Sequence, residues 1–297
     1  MSRSDGLPAS IDIREVGPRD GLQPEAPISV EDRLRLIAAL VDAGARSVEV
    51  TAFVSPKAVP AMAGAAEVVR GLGAPGDVTW WALVPNVRGA ELAVDAGIRH
   101  LTVTVSASPT YSQRNVGMST EESMAQAAVI AGMAPAADIV ISCAFGSPYE
   151  GEISVDEVAG LAARCRDAGA TVTLADTTGM ATPRRVSAVV AATGPDVGLH
   201  LHDTRGTALV NAYAAMELGV RRFDTAVGGL GGSPFAAGAG GNLATEDLVH
   251  LCDDLDVTTG IDLTRLLEAS TLTASLIGRP VPSRLATAGP RGRLAGG

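Results

Sequence analysis

Residues 154–176 read Ser-Val-Asp-Glu-Val-Ala-Gly-Leu-Ala-Ala-Arg-Cys-Arg-Asp-Ala-Gly-Ala-Thr-Val-Thr-Leu-Ala-Asp, and this stretch contains the unit from which the fold is built. Ser154 with Glu157 three residues on is a helix start, and the Ala- and Leu-rich segment behind it predicts a helix over 154–168. Gly169 sits where a helix end needs a left-handed residue. The β-branched run 171–175 then reads as a short buried strand, and Asp176 closes it with a charge.

Outward from there the same unit recurs. Strands are predicted at 11–16, 46–51, 78–84, 99–105, 138–144, 171–175, 197–201 and 222–227. Helices are predicted at 30–42, 58–71, 88–96, 119–133, 154–168, 183–192, 206–218 and 243–253, with Ser119-Thr-Glu-Glu a second good helix start. Gly44, Gly97 and Gly219 repeat the role of Gly169. Eight strand–helix units mean a parallel sheet, and eight of them favour a closed (β/α)₈ TIM barrel over an open sheet. A further helix, 262–277, follows the eighth unit, so the chain divides into a catalytic barrel (1–260) and a C-terminal helix with a tail (261–297). The tail, 279–297, carries Arg279, Arg284, Arg291 and Arg293 among Pro, Gly and Ala. It reads as a frayed end, or else as an arm that orders on phosphate.

Composition agrees with one barrel. The 297 residues are 46% hydrophobic with only nine aromatics, so the core is built from Ala, Val, Leu and Ile. A net charge of −10 gives no reason to expect nucleic acid as a partner. Cys143, Cys165 and Cys252 are too few and too scattered for a disulfide framework or a cysteine zinc site, which suits a reducing cytoplasm. Met1–Ser10 lacks an apolar run, and no stretch is apolar enough to span a membrane.

Catalytic groups of such barrels gather where the strands end. Arg19 and Asp20 follow the first strand, Glu49 ends the second, Asp176 the sixth, and His200 and His202 the seventh. In Leu199-His-Leu-His-Asp203 the two histidines stand at i and i+2, so they point to one side and present two imidazoles to one ion. Otherwise one is a satisfied barrel histidine and the other is exposed. Asp20 is the third ligand, or else half of an Arg–Asp salt bridge. Two imidazoles and a carboxylate with no thiolate suit a catalytic divalent cation, and magnesium or manganese fits an oxygen-rich site. Residues 228–241 hold seven glycines in fourteen and read as a lid over the mouth, without the Lys of a phosphate-binding loop. Asn242 beyond them is an N-cap or a metal ligand.

Taken together, Val16-Gly-Pro-Arg-Asp-Gly-Leu-Gln23, Phe53-Val-Ser-Pro-Lys57, His200-Leu-His-Asp203 and Gly240-Gly-Asn-Leu-Ala-Thr-Glu-Asp247 closely resemble hydroxymethylglutaryl-CoA lyases, over residues 11 to 260. These lyases share their barrel group with isopropylmalate synthase-like condensing enzymes. The resemblance implies a metal held by Asp20, His200, His202 and Asn242. It implies Arg19 polarising a carbonyl and stabilising an enolate, His200 as the nearest base, and Glu49 and Asp176 orienting the ligands. Gln23, Asn115 and Val140 are the implied substrate contacts. The implied reaction is retro-aldol cleavage of a 3-hydroxy acyl-CoA; a homodimer is the expected assembly because barrels with an extra terminal helix often pair.

Three positions depart from the pattern. Ser233, in Gly232-Ser-Pro234, replaces a catalytic lid cysteine, and a serine hydroxyl gives up its proton far less readily than a thiol. Val140 stands where the pattern has a tyrosine, which enlarges the pocket and removes a donor. Pro24-Glu-Ala26 lacks a lysine, so charge for a CoA tail falls to Arg114 or Lys57. Two alternatives stay beside the lyase reading: a Claisen or aldol condensing acyltransferase, and a metal-binding relative with little turnover because of Ser233.

Overall fold

Eight strands close into one barrel in chain order, β1 (Asp12–Glu15), β2 (Ser47–Ala52), β3 (Thr79–Leu83), β4 (His100–Ser106), β5 (Ala136–Ser142), β6 (Thr171–Ala175), β7 (Gly198–His200) and β8 (Arg222–Thr225), with β8 pairing in parallel with β1. The structure is a computed structural model, and it describes residues 6–74, 76–232 and 240–290. Around the barrel run α1 (Val30–Asp42), α2 (Ala65–Gly71), α3 (Val87–Asp95), α4 (Pro109–Val116), α5 (Thr120–Ala131), α6 (Val155–Asp167), α7 (Pro183–Thr193), α8 (Ala208–Glu217) and α9 (Thr245–Asp254). Two more, α10 (Leu263–Ile277) and α11 (Arg284–Ala288), follow. None of the described helices is long and apolar enough to cross a membrane.

The ring helices bury one stripe each on their inward side, while α10 packs on α1. In α6 the buried positions are Val158, Leu161, Ala162 and Cys165, spaced three to four apart as the helical period requires. Each large aliphatic side chain so buried contributes about 1.5–3 kcal/mol. Ser119 accepts from Glu122 N while the Glu122 side chain accepts from Ser119 N, a reciprocal cap of α5 that contributes about 1 kcal/mol.

The structure differs from the sequence reading in four places. The helix expected over 58–71 is a short 3₁₀ turn, Pro60–Met62, and then α2, because Gly64 (φ 77°) breaks the chain between them. The strand expected at 138–144 runs two residues earlier, since Cys143 turns left-handed (φ 57°) and ends it. Helix α4 was not expected: its sequence, Pro-Thr-Tyr-Ser-Gln-Arg-Asn-Val, has no apolar period, and Ser108 as cap with Pro109 in the first turn forms it. The tail carries α11, capped by Ser283, while Asp247 accepts from Leu285 N at 2.9 Å and from Ser283 Oγ at 3.1 Å. Arg279 pairs with Glu25 and Arg284 with Asp203, so both already hold carboxylates. Arg291 and Arg293 lie outside the described residues. Helix α10 joins the barrel through Asp262 N, which donates to Ala43 O at 2.7 Å.

Candidate active site

The chain leaves β1 through a π-helical turn, Gly17–Gly21, in which the amides of Arg19, Asp20 and Gly21 all donate to Val16 O. Only glycine fits at 17, because a Cβ there would stand 2.6 Å from Glu15 Oε1 and 2.8 Å from Val227 Cγ1. Glu15 is the anchor: Oε1 accepts from Gly17 N (2.7 Å) and Val227 N (2.9 Å), and Oε2 accepts from Thr245 Oγ1 (2.6 Å). One buried carboxyl thus ties the turn carrying Arg19 and Asp20 to the chain leaving β8 and to α9.

Arg19 is buried, with Nε donating to Glu49 Oε2, one Nη to Asp20 Oδ1, and the same Nη 3.4 Å from Gln23 Oε1. A bulge at Val50 interrupts the β2–β3 ladder between Glu49 and Thr51, and bulges at barrel rims re-aim neighbouring side chains. Burial would raise the Asp20 pKa, but Arg19 above all, with His200 and His202, holds it down to about 2. Asp20 Oδ2 accepts from Asn242 Nδ2 at 2.8 Å and lies 3.8 Å from His200 Nε2.

The two histidines face each other with Nε2 atoms 3.2 Å apart. Burial pushes His202 down to about 4, with His200 adding to it, so its imidazole is neutral at physiological pH. Burial disfavours the charged form of His200 as well, but Asp224 and Asp20 outweigh it and raise its pKa. His200 Nδ1 lies 3.2 Å from Asp224 Oδ2, and His202 Nδ1 lies 3.3 Å from Gly240 O.

One ligand atom each from Asp20, His200 and His202 falls within 4.8 Å of the others, the only such trio of His, Cys, Asp or Glu among the described residues. The donor set suits a divalent cation, and the fourth expected ligand fits too. Asn242 is buried and spends Nδ2 on Asp20 Oδ2 and on Leu230 O (2.9 Å), while its Oδ1 has no partner. A buried carbonyl oxygen left unpaired is costly unless something completes it.

The other expected residues fall as follows. Asp176 does not hydrogen-bond either histidine. Its Oδ1 accepts from Met180 N (2.7 Å) and Ala181 N (3.0 Å), its Oδ2 is buried without a partner, and burial raises its pKa to about 6. Gln23, Asn115 and Val140 line one cavity of about 530 Å³ together with Arg19, Asp20, His200 and His202. In the ring of eight strands, β3, β4 and β5 stand opposite β7, β8 and β1, so Leu83, Thr104 and Val140 form a wall facing the polar group. Arg114 lies over the Tyr149 ring at 4.6 Å, and Lys57 is exposed. Ser233 lies outside the described residues. Cys143, at the end of β5, is no substitute for the lid thiol, since burial pushes it up to about 12.

Sequence reasoning passed over Arg14, Glu15, Asp138 and Asp224, all buried. The available signal was charge inside strands that are covered on both faces, where an ionised side chain survives only with a partner.

The HMGL-like family model matches residues 10–273. Hydroxymethylglutaryl-CoA lyase YngG of Bacillus subtilis is 39% identical over 93% of this chain and 96% of its own length. The 3-hydroxy-3-isohexenylglutaryl-CoA/hydroxymethylglutaryl-CoA lyase of Pseudomonas aeruginosa is 41% identical over 95% of this chain and 98% of its own. Among solved structures, an HMG-CoA lyase of Acinetobacter baumannii in complex with coenzyme A and 3-methylmalate superimposes with a TM-score of 0.91, at 40% identity over 97% of both chains.

Proposed function

This chain belongs to the HMGL-like family and is a carbon–carbon lyase, and from that premise we propose that it cleaves the CoA thioester of a 3-hydroxy-3-alkylglutarate, hydroxymethylglutaryl-CoA being the reference substrate. The observation that carries this reading is one cavity with a charged half, Arg19, Asp20, His200 and His202, facing a half in which Leu83 and Val140 give apolar surface beside Thr104. The charged half suits the hydroxyl and carbonyl oxygens, and the apolar surface suits the alkyl group on C3.

Asp20, His200, His202 and Asn242 Oδ1 would hold the divalent cation, magnesium or manganese in our reading. When bound, such an ion supplies Lewis-acid polarisation of substrate oxygens. The chain's own part is positioning and charge. Glu49 and Asp20 fix the Arg19 guanidinium from two sides, so it meets the thioester oxygen without reorganising as negative charge grows there. The 3-hydroxyl lies nearest His200, whose Nε2 faces the ion site and whose Nδ1 faces Asp224, so the ring orients the hydroxyl and the proton leaves to water in the cavity. The C2–C3 bond then breaks with its electron pair going to the thioester enolate, and the new ketone leaves. A proton from the lid side then returns to C2, where Ser233 replaces a better acid. Gln23 and Asn115 line the same cavity as contacts for the substrate's polar groups. A cytosolic homodimer is our reading of location and assembly.

The test is incubation of the metal-loaded protein with hydroxymethylglutaryl-CoA, which should release acetoacetate and acetyl-CoA in equal amounts. Condensation of acetyl-CoA with a 2-oxo acid, in the absence of cleavage, would replace this reading by that of an acyltransferase.

A further inference from the structure

Inside the barrel, on the side of the histidines away from the substrate cavity, five strands are braced by one arginine. Arg14 of β1 donates from Nε to Asp224 Oδ1 and from one Nη to Asp224 Oδ2, both at 2.8 Å, and the same Nη donates to Asp138 Oδ2 at 2.8 Å. Its guanidinium carbon lies 5.1 Å from the Trp81 ring centroid. Asp138 is completed by Thr171 Oγ1 and Thr173 Oγ1, each donating at 2.8 Å. Strands β1, β3, β5, β6 and β8 therefore converge on a network that touches no part of the lyase chemistry except at one atom. That atom is Asp224 Oδ2, which also faces His200 Nδ1. Asp224 borders both the 530 Å³ cavity and a small second one of about 80 Å³ lined by Arg14, Trp81 and Asp138.

We infer that Asp224, clamped by Arg14, is the positioning residue of His200: it fixes the ring with Nδ1 as the donor and so presents the Nε2 lone pair to the ion. The chemistry is one of donor and acceptor inventory. Both Asp224 oxygens accept from the permanently charged Arg14 guanidinium, so the carboxylate is the acceptor of this cluster. His200 Nδ1 must then carry the hydrogen. Histidines that bind metals depend on such an outer partner to select their tautomer and orientation, and losing it costs roughly 10–100-fold in metal affinity. Arg14 makes the clamp rigid because its planar fork engages both Asp224 oxygens at once, which a lysine cannot reproduce. The inference rests on the proposed metal site, but its central statement concerns the imidazole alone and can be read without metal.

The decisive variant is Asp224→Asn. An asparagine has one acceptor oxygen where Arg14 and His200 together require two. If the oxygen turns to Arg14, the amide N–H faces His200 Nδ1 and favours the other tautomer. Two readouts are needed: the ¹⁵N resonances of the His200 ring in the metal-free protein, and the Mn²⁺ dissociation constant by electron paramagnetic resonance. The wild type should show a protonated Nδ1, and Asp224→Asn should change that pattern and raise the Mn²⁺ Kd by at least about tenfold. Asp138→Asn, which leaves both Arg14–Asp224 bonds in place, should keep the wild-type ring pattern. If Asp224→Asn does not fold, Arg14→Lys takes its place and should loosen the ring and weaken Mn²⁺ in the same direction. A wild-type His200 that carries no hydrogen on Nδ1, or a folded Asp224→Asn with unchanged ring pattern and Mn²⁺ affinity, overturns the inference. A wild type with the expected ring pattern that binds no Mn²⁺ supports the inference about the imidazole and overturns the metal reading instead.

Discussion

Glu246 gives the most quantitative test of how the mouth is held. It is fully buried at the start of α9, and both its oxygens face Gly228 N, at 2.9 and 3.0 Å, where the chain leaves β8 for the glycine-rich segment. Gly228 must be left-handed there (φ 71°), and a Cβ would stand 2.7 Å from Val281 Cγ1. Burial, with repulsion from Glu15 adding to it, raises the Glu246 carboxyl from its ordinary 4.5 to about 7. A carboxyl that binds its proton more tightly in the folded state stabilises the fold fully below its unfolded pKa, and that contribution is lost as pH rises through the folded value. At 1.36 kcal/mol per pH unit, the loss is about 3 kcal/mol between pH 4.5 and pH 7. Glu246→Gln keeps the shape and one acceptor for Gly228 N–H but cannot ionise. Melting curves from about pH 5 to about pH 8.5 should therefore diverge, the variant gaining roughly 5 °C over the wild type at the alkaline end. Parallel curves would show that the Glu246 carboxyl does not hold a proton in the fold, and would refute the argument.

The remaining expectations concern the chemistry. Asp20→Ala should abolish measurable Mn²⁺ binding and metal-dependent cleavage while circular dichroism shows an intact barrel, because the residue sits at the catalytic end of the strands; unchanged affinity would remove Asp20 from the site. Arg19→Met should lower kcat by about 10²–10³ with a much smaller effect on KM, the mark of a donor that acts on charge developing in the transition state. A change confined to KM would make Arg19 a binding residue only. Ser233→Cys should speed cleavage of hydroxymethylglutaryl-CoA by about tenfold, a modest 1.4 kcal/mol of barrier, and the gain should titrate with the thiol. No gain in a folded, metal-loaded variant would exclude that substrate and leave a longer C3 group beside Val140 as the alternative to assay.

The fold was legible because its unit is local. A short β-branched run followed by a helix recurs eight times, with Gly44, Gly97, Gly169 and Gly219 left-handed just before four of the strands, and each is set by neighbours in sequence. The trio was legible for a related reason: i and i+2 spacing at the end of β7 puts His200 and His202 on one side, and Asp20 follows β1 in the turn Gly17–Gly21. What the sequence hid depends on partners far along the chain. Asp224 meets Arg14 across 210 positions and Glu15 meets Thr245 across 230, so no local window pairs them. The turn that Asp176 holds was hidden for the opposite reason. Asp176 stands just past a strand end, and its Oδ1 is taken by amides four and five residues on while Oδ2 has no hydrogen-bond partner. Helix α4 went unseen because capping by Ser108, rather than an apolar stripe, marks it.

The measurement that bears most directly on the account is anomalous diffraction from crystals soaked in Mn²⁺ and then given substrate. The account predicts one manganese peak, about 2.0–2.3 Å from Asp20, His200 Nε2, His202 Nε2 and Asn242 Oδ1, with cleavage products forming only in crystals that hold it. A peak elsewhere with these four residues unliganded, or cleavage that continues after complete chelation of metal, would contradict it.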